Sequence, residues 1–213
     1  MGGRARLSLV GPVLGDHAFL RVWWTNWAEV VPGKIYRSNH PGPGRLRRAV
    51  ARFGLRTVVN LRGTAPNVSS ALSAAEAAGL GVETIYMAFE SRGAPHRERI
   101  LRFHEIYRTM RLPALLHCKS GADRAGLAAG LVVLFEGGSA AEAARQLSWR
   151  RLHVAVSPTG ILDAFFRMYA AEGEGRKPFL DWVREDYDEM RLRRGFRPWR
   201  LGTFLTDTVL RRE

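Results

Sequence analysis

Two apolar runs with six residues between them constrain this chain more than anything else in its sequence. Pro113 to Cys118 (PALLHC) is short and apolar, the pattern of a fully buried strand, and Ala125 to Phe135 is apolar nearly all round, the pattern of a central, buried helix. A strand and a helix that both lack a solvent face belong in the middle of a layered fold. The residues between them, Lys119 to Arg124 (KSGADR), then form a strand-to-helix turn at the C-terminal end of a strand, where ligands bind in open α/β sheets.

The rest of the chain supplies compatible elements. Leu46, Ala49, Val50 and Phe53 fall at helical spacing with Arg45, Arg47, Arg48 and Arg52 between them, and Gly54 stands where the helix stops. Arg56 to Leu61 (RTVVNL) is a buried strand, Ser70 to Ala78 a helix, Val82 to Phe89 a second strand, and His96 to Met110 a helix carrying Ile100, Phe103 and Tyr107. Ser139 and Glu142 form a capping box, Ser157 and Pro158 open a helix with Phe165 and Phe166, and Phe179 to Leu192 reads as one last helix. Strands alternating with helices predict an α/β single domain with a central, largely parallel sheet flanked by helices.

A length of 213 residues fits one such domain with extensions: a lead-in over residues 1–31, a catalytic domain over 32–172, and a basic helical extension over 173–213, entered through the linker-like run GEGRKP. Arg4 and Arg6 before Leu7–Leu14 imitate a secretory signal loosely, but Gly11 and Pro12 interrupt the stretch, which reads as ordinary lead-in. No apolar run reaches the roughly 20 residues a membrane-spanning helix needs. A lone cysteine excludes an internal disulfide and fits a reducing compartment, so the expected location is cytoplasmic. The formal charge of +13 draws anionic partners, and the tail's arginines with Phe196, Trp199 and Phe204 suit either packing on the domain or an acidic membrane surface. No nucleic-acid recognition pattern accompanies the charge. The histidines lie far apart and Cys118 has no companion ligand, so no metal and no cofactor are expected.

The stretch from His117 to Gly126 (HCKSGADRAG) carries the chemistry. Five residues between Cys118 and Arg124 are enough backbone to curl N–H donors around a tetrahedral oxyanion, with the N-terminus of the following helix adding partial positive charge. The same dipoles stabilise a thiolate. Arg124 presents a two-pronged fork to phosphate oxygens, which a lysine does less well. A buried, inert cysteine is the alternative reading, and the flanking histidine, glycine and arginine speak against it.

This decamer resembles the signature of the protein tyrosine phosphatase and dual-specificity phosphatase superfamily, His-Cys followed by five residues and Arg. Lys34-Ile35-Tyr36-Arg37-Ser38 and Val59-Asn60-Leu61-Arg62 are similar to the compact bacterial and atypical dual-specificity members, and the resemblance runs from about Pro32 to Tyr169. It implies a tyrosine phosphatase-like fold and a phosphocysteine intermediate on Cys118. Arg124 then serves as the phosphate fork, Lys119, Ser120, Gly121, Ala122 and Asp123 complete the phosphate-binding loop, and His117 orients it.

The leaving-group acid is less plain. Members of the superfamily keep an Asp on a loop before the signature, whereas here Phe89 to His96 offers only Glu90; Asp123 stands where lipid phosphatases of the myotubularin type carry Asp, and it is the preferred acid over Glu90. Arg92 and Arg62 are candidates for the pocket mouth. Ala125 replaces the usual Ser or Thr that assists release of the thiolate, leaving Ser120 to substitute or the second step slow. The expected partner is a phosphorylated protein, with a phosphoinositide, an inositol polyphosphate, or binding without turnover as alternatives.

Overall fold

A computed structural model describes residues 25–64 and 68–197. Five strands, β1 (Ala28–Val31), β2 (Ile35–Ser38), β3 (Thr57–Asn60), β4 (Glu83–Tyr86) and β5 (Ala114–His117), form one sheet in the order β1-β2-β5-β3-β4. Only the β1–β2 pair is antiparallel. Helices α1 (Pro43–Phe53), α2 (Val68–Gly79), α3 (Arg97–Thr109), α4 (Asp123–Phe135), α5 (Ala140–Ala144), α6 (Ile161–Glu172), α7 (Phe179–Glu185) and α8 (Glu189–Gly195) surround it.

The two-residue period of a strand divides the core into two layers. Tyr36, Val58 and Leu115 point into a layer with Leu46 and Ala77, from α1 and α2. Ile35, Val59 and Leu116 point into the larger layer built on α4, with Leu127, Leu131, Phe165 and Trp182. Burial on both faces is why β3 and β5 read as near-continuous apolar runs rather than alternating ones. Because β5 lies between β2 and β3 in register, Ser38, His117 and Asn60 end level with one another. That edge delivers Cys118 to the top of the sheet.

Three expectations need correction. β1 lies inside the residues assigned to a lead-in and pairs with β2 through Ala28 opposite Arg37, so the folded unit begins before residue 32. The run from Phe179 to Leu192 is two helices: Asp188 accepts hydrogen bonds from the N–H groups of Met190 and Arg191 and caps a new start, α8. The GEGRKP segment does not separate a distinct extension, since Phe179, Trp182, Tyr187 and Leu192 belong to the main core. Gly173 there is a packing residue: a Cβ would sit 2.7 Å from the ring of Tyr169 and 2.8 Å from that of Trp182. The capping box at Ser139 and Glu142 is present, whereas Ser157 caps a short 3-10 turn from which α6 continues. Leu7–Leu14, Trp199 and Phe204 lie outside the described residues. No described helix is long and apolar enough to cross a membrane.

Candidate active site

The loop from Cys118 to Ala122 is held by its carbonyls. Lys119 O accepts from His40 N at 3.2 Å, and Ser120 O accepts from Asn26 Nδ2 at 2.7 Å. Arg37 Nη2 donates to Gly121 O at 2.7 Å and to Ala122 O at 3.2 Å. In a planar trans peptide the C=O and the next N–H point in opposite directions, so fixing these carbonyls on the outside turns the following N–H groups inward. Gly121 N–H already donates to Cys118 Sγ at 3.2 Å. The result is a set of donors around the Cys118 sulfur at the N-terminus of α4, where the dipole favours an anion.

Gly121 is required at its place. Its φ is +76°, and an added Cβ would meet Asn39 N at 2.6 Å and the Ser38 carbonyl carbon at 2.8 Å, so no other residue lets the loop lie this close to the end of β2.

Arg37 supports the loop from beneath. It is fully buried, and its Nη1 also donates to Gln146 O at 2.7 Å and Gln146 Oε1 at 3.2 Å. Burial, with Arg151 nearby, lowers its pKa to about 9, against the raising influence of Cys118 and Asp123. It remains a cation at neutral pH, beneath the loop that presents Cys118.

His117, also buried, has its pKa pushed down to about 3 by burial and by the charges of His40 and Arg62, against a hydrogen bond to the Cys118 backbone. The neutral ring meets His40 edge-on at 5.1 Å, and His40 Nε2 reaches Ser73 Oγ at 3.1 Å. Arg62 is thus electrostatically close to the loop, while Lys119 and Arg92 are partly exposed.

Arg124 is partly exposed and its Nη2 lies 3.4 Å from Ser91 Oγ, which brings the 89–96 loop to the rim of the cradle. That loop is tied down. Glu90 pairs with Arg99 and with His96 at 3.3 Å, His96 contacts Glu189 at 2.6 Å, and Tyr187 Oη donates to Pro95 O at 2.8 Å. The last two partners come from the C-terminal helical region, which therefore positions the loop over the site.

Asp123 is buried beside the cradle. Its Oδ1 lies 2.7 Å from His153 Nδ1, and His153 Nε2 lies 2.6 Å from Asp163 Oδ2. Burial alone would lower the His153 pKa, but hydrogen bonds and charge from Asp123 and Asp163 outweigh it and raise it to about 9. One imidazolium therefore bridges two carboxylates, from α4 and α6. Ala125 is fully buried, so no hydroxyl stands at its position, while Ser120 Oγ accepts from Ala122 N at 3.3 Å within the loop.

Sequence reasoning brings Cys118, Arg124, Asp123 and the loop together but misses Asn26, the partners of Arg37, His153 and Asp163. Arg37 carried a signal: an arginine inside a short apolar strand has to find acceptors. His153, 30 residues from Asp123, carried none.

Residues 47–148 match the family described as DSP-PTPase phosphatase fused to NAD+ kinase. No curated protein is significantly similar in sequence. Among solved structures, the core catalytic domain of the PP-IP phosphatase SIW14 from S. cerevisiae aligns with TM-score 0.51 and 17% identity over 80% of this chain and 90% of that one. A DUF442 protein from Shewanella putrefaciens CN-32 aligns with TM-score 0.56 and 16% identity over 72% and 95%. P. aeruginosa TpbA, as a cysteine-to-serine variant in complex with pTyr, aligns with TM-score 0.53 and 17% identity over 70% and 92%. These likenesses establish the shared fold, and over residues 47–148, which include the Cys-x5-Arg loop, the chain is similar to the dual-specificity phosphatase domain of the matched family.

Proposed function

We propose that this protein hydrolyses phosphate monoesters of protein side chains, phosphotyrosine among them, through a phosphocysteine intermediate on Cys118, in the cytoplasm. The observation that carries the reading is the set of outward-pinned carbonyls at Lys119, Ser120, Gly121 and Ala122, which turns the loop's N–H groups toward the space above Cys118.

In the first step the Cys118 thiolate attacks phosphorus while the bond to the ester oxygen breaks, and the departing oxygen takes a proton. The loop amides and the Arg124 fork hold the three equatorial oxygens, whose charge is spread in the transition state. In the second step water attacks phosphorus, the sulfur–phosphorus bond breaks, and the thiolate returns.

We assign the acid to Asp123, with Glu90 as the other carboxyl within this region. Asp123 lies beside His153, which bridges it to Asp163, and as the acid it must carry a proton of its own, taken up before each turnover. Glu90 is engaged by Arg99 and by His96.

A second reading, an inositol polyphosphate or phosphoinositide as substrate, is favoured by the basic residues Lys119 and Arg62 close to the cradle. Phosphate release from phosphopeptides, phosphoinositides and inositol polyphosphates, with wild type beside Asp123→Asn and Glu90→Gln, tests both points. The expected result is phosphopeptide turnover that falls about a hundredfold or more in Asp123→Asn and little in Glu90→Gln. Unchanged turnover in both variants contradicts the acid assignment, and turnover of inositol phosphates alone selects the second reading.

A further inference from the structure

A pocket of about 320 Å³ lies between the β1–β2 edge of the sheet and α1, within the size range of small-molecule sites. None of the cradle residues from Cys118 to Arg124 lines it. Arg45, Arg48 and Arg52 form one side, at a spacing that puts them on one stretch of α1. Trp27 and Phe53 line the pocket beside them, their rings stacked at 4.9 Å with 20° between planes.

Arg48 and Arg52 on this wall carry charges that no carboxylate among the described residues neutralises. Arg45 donates to His40 O at 3.0 Å, and Arg52 lies 5.1 Å from the centre of the Phe53 ring. Among the described residues no carboxylate lines the pocket, and Arg48 and Arg52 have no carboxylate within ion-pair distance. Arg47, on the same helix but facing away, does have one, Glu76 at 3.6 Å. Basic side chains beside apolar rings suit an anion joined to a ring, because the guanidinium forks match phosphate oxygens and the outer sides of the stacked rings offer apolar contact.

We propose that this pocket binds a phosphorylated ligand with a flat ring, its phosphate on Arg48 and Arg52 and its ring against Trp27 and Phe53, at a site separate from Cys118. The pocket shares a wall with the cradle. Asn39 lines it, and the backbone of Asn39 lies against Gly121. Occupancy therefore acts on the segment that also sends His40 N to Lys119 O.

The test uses full-length Cys118→Ser protein, to prevent turnover, with tungstate filling the cradle. Calorimetry compares AMP, adenosine and inorganic phosphate as probes. The expected result is AMP binding that persists in tungstate, exceeds that of either fragment, and weakens about a hundredfold in Arg48→Ala/Arg52→Ala, roughly tenfold for each guanidinium removed. Arg47→Ala, removing a charge from the same helix outside the pocket, leaves it unchanged. Both changes are at exposed positions, so the fold is kept. AMP binding abolished by tungstate, or equal in the double variant and Arg47→Ala, overturns the separate site. Phosphate alone binding as tightly as AMP overturns the ring contact. Because this assay reads binding with the cradle blocked, it stands or falls apart from the hydrolysis assays.

Discussion

Replacing His153 with Asn breaks the bridge between Asp123 and Asp163 while leaving a small polar side chain. The folded protein holds the His153 proton with a pKa of about 9, against an ordinary value of 6.5. Folding therefore raises the pKa, and the linked stability is fully present below about pH 6.5 and is lost as pH rises through about 9. The difference corresponds to about 3 kcal/mol. His153 is 2% exposed by side chain, so solvent screens this little. At about pH 6 the variant leaves two buried carboxylates without their cation and is less stable than wild type by about 3–5 kcal/mol. By about pH 10 wild type has lost its proton too, and the gap narrows by about 3 kcal/mol. Urea unfolding of both proteins at the two pH values measures it, and taking the difference cancels the lysines and tyrosines they share. A gap that stays constant or widens between about pH 6 and pH 10 refutes a charged His153 at neutral pH.

Two other changes test the supports of the cradle. Arg37→Met removes a buried guanidinium that serves Gly121 O, Ala122 O and Gln146, and is expected to cost about 3–5 kcal/mol in urea unfolding and to weaken tungstate affinity, because the loop carbonyls are released. Ala125→Ser restores a hydroxyl at a fully buried position. It is expected to cost about 1 kcal/mol of stability and, where phosphoenzyme hydrolysis limits turnover, to raise kcat about tenfold, the equivalent of one hydrogen bond made in the transition state. A pre-steady-state burst that shrinks in Ala125→Ser checks this.

The central layer was legible because its residues have no alternative. PALLHC and the apolar stretch after it fit a buried strand and a buried helix and nothing else, and the turn between them follows from their adjacency. β1 was missed because Ala28–Val31 is short, half-exposed and paired only along one edge, so its pattern is weak. The break between α7 and α8 had a local signal, an Asp at position 188 followed by Glu189, which the apolar periodicity of Trp182, Val183 and Leu192 masked. Asn26 and His153 reach the cradle from 94 and 30 residues away in sequence. Such pairings depend on how the layers stack, and spacing along the chain does not encode them.

The most direct test of the account is an acid quench of wild-type enzyme during turnover of a phosphotyrosine peptide, followed by peptide mass spectrometry. The account predicts a phosphoryl group on Cys118 and on no other residue, with both modification and phosphate release absent in Cys118→Ser. Phosphate release that survives in Cys118→Ser, or a phosphoryl group trapped elsewhere, contradicts it.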